Sequence, residues 1–451
     1  VSALRTVALI DGEHYFPVVI QALEKLRADG EHKLVGAVFI GGTEKLTDST
    51  DFSGFGVPVI LDKDPMRGID LAIAKYAPDV FVDLSDEPVV GYKERFACAC
   101  RILSHSIIYK GSDFLFEPPI FEDIVHKPSI SIIGTGKRTG KTAVSAYACR
   151  ILKSEGRAPC VVAMGRGGPK KPEVIYGGDI ELKPDYLLKL SRSGKHAASD
   201  HYEDALVSRV TTVGCRRCGG GMAGQVFISN VAEGARIADG LPEQTVIFEG
   251  SGAAIPPVRT DARIVIIGAG QPEEYISGYF GPYRIGLSDL AVITMCEEST
   301  ATAAKTERLA DAVRAAKPGI KVVKTVFRPK ALADISGRRV MVATTAPDSA
   351  GPGIKRHLEE QYGCAIDSVS HRLSNRPLLR QDLAASGDCE VILTELKAAA
   401  VDVVTEFGLE NGKEIVFMDN DPVTVGGDGE LRDLLIEVET LAVDRHNHSR
   451  R

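Results

Sequence analysis

No apolar stretch in these 451 residues approaches the roughly 20 that a membrane-crossing helix needs, which excludes an integral helical membrane protein. The opening VSALRTVALIDGEHY lacks the basic start and small-residue cleavage site of a secretory signal, and it reads as a strand. Positive charge is in deficit. With 54 Lys and Arg against 61 Asp and Glu, the net charge of -7 argues against general nucleic-acid binding, although local basic clusters can still hold a small anion. Nine cysteines, an odd number scattered along the chain, do not form a secreted disulfide framework. There is no fixed-period repeat and no low-complexity segment. What remains is the composition of an ordinary globular protein, 44% hydrophobic and 25% charged. The expectation is a cytoplasmic protein with neither a nucleic-acid nor a membrane partner.

The length exceeds one ordinary core, so two or three domains are expected. Apolar β-branched runs alternate with helical patterns along nearly the whole chain, the mark of βαβ units on a parallel sheet. A first series contains TVALID, KLVGAVFIGG, VPVILD and DVFVDLS. A second runs from PSISIIG through APCVVAMG, TVIFEGSG, ARIVIIGAG and LAVITMCEE to KVVKTVF, and a third from RRVMVATTAP to EIVFMD. FEPPIFEDIVHKP separates the first two and FRPKALADISGRR the last two. The predicted architecture is α/β: a Rossmann-like domain over 1–126, a parallel-sheet phosphate-loop domain over 127–335 and a smaller α/β domain over 336–451. The polar tail DRHNHSRR is expected to be disordered.

The strongest signal is GTGKRTGKT, residues 134–142, placed between a strand pattern and a helix pattern. Backbone N–H groups in such a glycine-permitted curl point at phosphate oxygens, and the helix start adds its positive end. Gly134, Gly136, Thr139, Gly140, Lys141 and Thr142 would cradle the nucleotide. Lys141 would neutralise the β and γ phosphates, and Thr142 would hold Mg²⁺ through its hydroxyl. The loop is one residue longer than a strict Walker A, with Thr135 where glycine would stand, and it carries two further cations, Lys137 and Arg138. Its glycines half-match a dinucleotide fingerprint, but Lys141–Thr142 has no purpose there and no acid closes a strand about twenty residues on. No Asn/Thr-Lys-x-Asp stretch is present to read guanine, which favours ATP over GTP.

Around the loop, TVIFEGSG ends in Glu249, where these folds place the acid that orients Mg²⁺ or its water. MGRGGPKKPEV puts Arg166, Lys170 and Lys171 after the next strand, at the carboxyl edge or on an ordinary solvated loop. Asp179 in GGDIEL is a candidate second metal contact. In SDHYEDAL the acids either order water or metal beside a phosphate-binding His201, or only cap a helix at Ser199 and Asp200. Cys215 and Cys218 have zinc-ligand spacing but no second pair, so CRRCGGG reads better as a tight loop whose Arg216 and Arg217 face an anion. IDGEHYFP follows the opening strand, and there Asp11, Glu13 and His14 either contact substrate or a neighbouring domain or cap a loop; His14 is the candidate for substrate. GAGQPEEY, at 268, is only a strand-to-loop turn.

Taken together, IGTGKRTGKTAVSAYACRIL, MGRGGP, ASDHYEDAL, GCRRCGGGMAG and FEGSGAAIPPVRTDA resemble the cyclic 2,3-diphosphoglycerate synthetase family. LIDGEHYFPVV, SNRP and ELKAAAVDV extend the likeness over nearly the full length. The resemblance implies an ATP-dependent enzyme that closes an intramolecular phosphoanhydride in 2,3-diphosphoglycerate, releasing ADP and phosphate. The substrate it implies is a compact polyanion, for which Lys137, Arg138, Arg166, Lys170, Lys171, His201, Arg216, Arg217 and Arg259 would supply the counter-charge. Lys141, Lys137, Arg138, Arg166 and Glu249 would carry the chemistry, with Thr142, Glu249 and Asp179 on the metal. A homodimer is expected. The loop also resembles that of dethiobiotin synthetase, and two alternatives stay open: an ATP-dependent ligase or kinase on another small anion, and a nucleotide-switch ATPase.

Overall fold

The computed structural model describes residues 3–46, 50–180, 183–192, 200–397 and 400–449. Ser199, expected at a helix start, and Ala398 and Ala399 of ELKAAAVDV lie outside them. The chain divides into two compact units: residues 1–119 with 272–287, and residues 120–271 with 288–451. No described helix is long and apolar enough to cross a membrane.

The first unit holds a six-stranded sheet. Its strands are β1 (Leu4–Asp11), β2 (His32–Gly41), β3 (Val59–Ile60), β4 (Val80–Asp83), β5 (Ile108–Lys110) and β6 (Leu115–Phe116). They lie in the order β3-β2-β1-β4-β5-β6, parallel except for β6. The run from Val7 to Ile10 is buried, as a strand covered on both faces requires. The helix Phe16–Ala28 has proline in its first turn and Lys25 and Arg27 in its last, matching the helix dipole. It lays Phe16 edge-on to Phe55, with ring centroids 5.3 Å apart. Strand order reverses between β1 and β4, so loops 11–14 and 84–89 flank a crevice.

The second unit is built on thirteen strands. Those before the terminal segment are β7 (Ser129–Gly134), β8 (Pro159–Gly165), β9 (Glu173–Tyr176), β10 (Thr211–Cys218), β11 (Ile228–Ser229), β12 (Thr245–Glu249), β13 (Ala262–Gly268), β14 (Leu290–Thr294) and β15 (Lys321–Ala331). The terminal segment adds β16 (Arg339–Ala343), β17 (Ala365–Ser370), β18 (Val391–Glu395) and β19 (Glu414–Gly427). The main path is β11-β10-β8-β12-β7-β13-β14-β15-β19-β18-β16-β17, with β9 paired to β10. From β10 to β15 all neighbours are parallel, so their carboxyl ends share one edge. The buried Ile, Val and Ala of β7, β12, β13 and β14 form the core with Val144, Ala148 and Leu152 of the helix Lys141–Ser154.

This sheet continues on both sides of residue 335, which lies in the loop between β15 and β16. β15 pairs with β14 only as far as Lys324 and then continues to Ala331 against β19. β19 in turn pairs with β18, so its 14 residues stitch the terminal segment to the phosphate-loop sheet. The terminal tail differs from expectation. The helix Leu431–Ser449 runs through DRHNHS, burying Leu431, Leu434, Leu435, Val438, Ala442 and His446. Spacings of three and four keep these on one face, which packs on the core of the second unit. His446 stands 3.6 Å from Asp261.

Candidate active site

β7 stops at Gly134, and residues 135–140 curl into the helix that begins at Lys141. Two residues of the curl, Arg138 (φ 59°) and Gly140 (φ 82°), adopt the left-handed conformation. At Gly140 a Cβ would also meet the Phe327 ring at 2.4 Å, so glycine is required twice over. The Lys141 ammonium lies inside the curl, donating to Gly136 O at 2.7 Å and Thr139 Oγ1 at 3.3 Å. Thr139 is itself pinned, since Thr294 at the end of β14 donates its hydroxyl to Thr139 O at 2.7 Å. Lys137 and Arg138 are exposed on the outer rim.

Thr142 donates its hydroxyl to Glu249 Oε1 at 2.7 Å, and Glu249 is only 4% exposed. β12 lies directly beside β7, so the predicted metal pair is assembled by strand order. Hydroxyl and carboxylate are hard oxygen donors, which suits Mg²⁺. Three residues beyond Glu249, Gly252 turns with φ 63°. A Cβ there would come within 2.7 Å of an Arg166 guanidinium nitrogen and 3.4 Å of one from Arg217. Arg217 is held by Ser251, donating to its carbonyl at 2.7 Å, and by Gly219 O at 3.2 Å. Two guanidiniums from the ends of β8 and β10 thus converge on the turn that follows the Glu249 carboxylate.

Lys170 and Lys171 are exposed on a loop at the same edge. That loop is tied down by Asn230, whose Nδ2 donates to Pro169 O at 3.2 Å and Lys170 O at 3.3 Å. The same Asn230 takes Arg216 N on its Oδ1 at 2.7 Å, so one side chain couples the basic loop to β10.

Three other candidates lie elsewhere. Asp179 follows Tyr176, which pairs with Thr211 at the start of β10; it sits at the amino-terminal edge, opposite the phosphate loop. Arg259 precedes β13 at that same far edge and pairs with Asp123 at 3.3 Å. His201 is 3% exposed. Its ring lies where a Cβ of Gly214 would be, 2.4 Å from Cδ2, with Nε2 3.8 Å from Glu173, so it fills the space over a glycine rather than opening to a ligand. In SDHYEDAL, Glu203 is paired with Lys397 at 2.5 Å and Asp204 is buried, so neither acid is offered to solvent.

His14 belongs to the first unit. Its Nδ1 is 2.9 Å from the buried carboxylate of Asp11, which also accepts the backbone N–H groups of Glu13, His14 and Asp86. The cleft it lines, of about 610 Å³, is otherwise acidic, with Glu13, Glu44, Asp86 and Glu87. Such a lining opposes a polyanion. Cys215 is buried, its thiol pushed up to about 12 by burial, while Cys218 is exposed; both are free. Among the described residues no group of three or more His, Cys, Asp or Glu gathers to hold a metal by itself.

Two contributors carried no motif. Phe327 closes on Gly140 from the extended part of β15. Gln271 binds the extra loop residue, taking the Thr135 hydroxyl on its Oε1. The segment GAGQ was legible only as a turn, because its role depends on β13 lying beside β7.

Three family models match the chain: cyclic 2,3-diphosphoglycerate synthetase N-terminal domain over 5–117, P-loop domain over 129–326 and C-terminal domain over 331–421. The cyclic 2,3-diphosphoglycerate synthetase of Methanothermus fervidus is 50% identical over 456 residues, covering 99% of each chain. The synthetase of Rubrobacter xylanophilus is 50% identical over 95% of this chain and 96% of its own, and that of Methanothermobacter thermautotrophicus 49% identical over 98% and 97%.

Proposed function

This chain belongs to the cyclic 2,3-diphosphoglycerate synthetase family, and we propose that it uses Mg-ATP to close the phosphoanhydride ring of cyclic 2,3-diphosphoglycerate on the edge formed by β7, β8, β10 and β12. The observation that carries this reading is the convergence of Arg166 and Arg217 on Gly252, three residues from Glu249. A nucleotide cradle needs only the loop. Two guanidiniums on the same edge, Arg217 held by Ser251 and Gly219 with Arg166 beside it, suit a second anion, the diphosphoglycerate.

In the proposed sequence, the 134–142 curl and Lys141 hold the triphosphate. Bound Mg²⁺, held by Thr142 and Glu249, would supply charge neutralisation at the β and γ oxygens. Arg166 and Arg217 hold the substrate phosphates close to the nucleotide against their mutual repulsion, with Lys137, Arg138, Lys170 and Lys171 adding positive potential at the rim. One substrate phosphate oxygen attacks the γ phosphorus; the bond to the ADP oxygen breaks and a mixed anhydride forms. An oxygen of the second substrate phosphate then attacks the substrate phosphorus of that anhydride, closing the ring and expelling inorganic phosphate. The attacking oxygens are already ionised, so no strong base is required, and the residues act by positioning and charge stabilisation. The same reading takes the chain to work as a cytoplasmic homodimer.

The test is phosphorus NMR. A mixture of protein, Mg-ATP and 2,3-diphosphoglycerate should develop an anhydride resonance that neither nucleotide nor substrate alone produces. ATP consumption that proceeds without diphosphoglycerate and yields no such resonance would instead identify a nucleotide switch.

A further inference from the structure

Gln271 follows β13, which flanks β7 on the side opposite β12. The orientation of its carboxamide is fixed by a partner that can only donate: the backbone N–H of Gly268 reaches Oε1 at 3.2 Å. The Thr135 hydroxyl donates to the same oxygen, so the acceptor end anchors the residue that lengthens the loop. The amide nitrogen therefore points the other way. It lies over Gly136, so close that a Cβ there would be 2.5 Å from Nε2. Gly136 in turn carries the carbonyl on which the Lys141 ammonium rests at 2.7 Å, and that ammonium marks the place of the β and γ phosphates. One flank of the curl thus presents the oxygens of Thr142 and Glu249, and the other an N–H donor.

We infer that Gln271 is a further catalytic residue, whose Nε2 donates a hydrogen bond to the terminal phosphoryl group of the bound triphosphate while its Oε1 holds Thr135 in place. The inference rests on the reading of residues 134–142 as a triphosphate cradle. A fixed amide donor stabilises the charge on the phosphoryl oxygens during transfer, and ADP has no group at that position.

Gln271→Glu tests this directly. It keeps the acceptor for Gly268 and Thr135 and replaces the donor with a carboxylate of nearly the same shape. Titration calorimetry with Mg-ADP and with a Mg-bound β,γ-imido triphosphate should show triphosphate affinity lowered by about tenfold or more, and ADP affinity changed by less than about twofold. Gln271→Met, neutral and of similar length, should lower kcat by about a hundredfold with ADP affinity intact. If ADP and triphosphate affinities fall together, Gln271 only shapes the loop; if neither falls and kcat holds, it touches nothing that reacts. Either result overturns the inference. Lys141→Ala separates the two levels: should it leave ADP affinity unchanged, the cradle reading itself is wrong and the inference goes with it.

Discussion

Gly252 owes its side-chain-free state to two things at once, a left-handed backbone (φ 63°) and the guanidinium of Arg166 in the space a methyl would take. Gly252→Ala should therefore cost about 1 kcal/mol of stability, visible in thermal unfolding, and also raise the KM for diphosphoglycerate. Arg166→Ala should raise that KM by roughly 10- to 100-fold, the worth of charged hydrogen bonds, with the KM for ATP within about twofold. An unchanged substrate dependence would remove Arg166 from the site. At the same scale, the thiols make a separate prediction. Burial pushes Cys98, Cys100, Cys160 and Cys215 up to about 12 and Cys149 well above its usual value. Cys218 alone of the nine is exposed. Brief alkylation of the folded protein near pH 8, read by peptide mass spectrometry, should mark Cys218 first. The placement of individual residues was unevenly legible. The nearness of Lys141, Thr142 and Glu249 to one another was readable because a loop and the neighbouring strand end carry them. Asp179 and Arg259 were not, because a residue's distance in sequence from a strand does not say which edge of the sheet it reaches.

Elements are legible in the sequence where the hydrophobic pattern is strong and hidden where local composition runs against it. FRPKALADISGRR looks like a linker because it holds proline and glycine, yet its first residues extend β15 against β19. Pro329 sits in that strand opposite Asn420, tolerable because β19 is a single antiparallel neighbour beyond the reach of β14. The terminal helix looked disordered because its end is polar, but spacing, not composition, decides burial. Leu435, 2% exposed, lies in the core formed with β7, β13 and β14. Leu435→Ala should destabilise the second unit by about 2 to 5 kcal/mol in denaturant unfolding. A loss below about 0.5 kcal/mol would show that this helix does not hold the sheet. Glu439 on the same helix is buried against Arg157 and takes the Thr245 hydroxyl, which locks the helix to the start of β12.

For the whole molecule, the fold class was legible because βαβ alternation leaves few alternatives, and the family because its motifs span the chain. The division into two compact units was not, since it depends on residues 272–287 joining the first unit while the chain on either side belongs to the second. On the proposed route, ATP closes the ring by activating one of the substrate's own phosphates at the 134–142 curl. The direct measurement places oxygen-18 in the non-bridging phosphate oxygens of 2,3-diphosphoglycerate, leaves ATP unlabelled, and follows the released phosphate by isotope-shifted phosphorus NMR. Each inorganic phosphate released should carry one labelled oxygen. Inorganic phosphate free of label, with the oxygen-18 displaced on ring closure appearing in water instead, would contradict the proposed route.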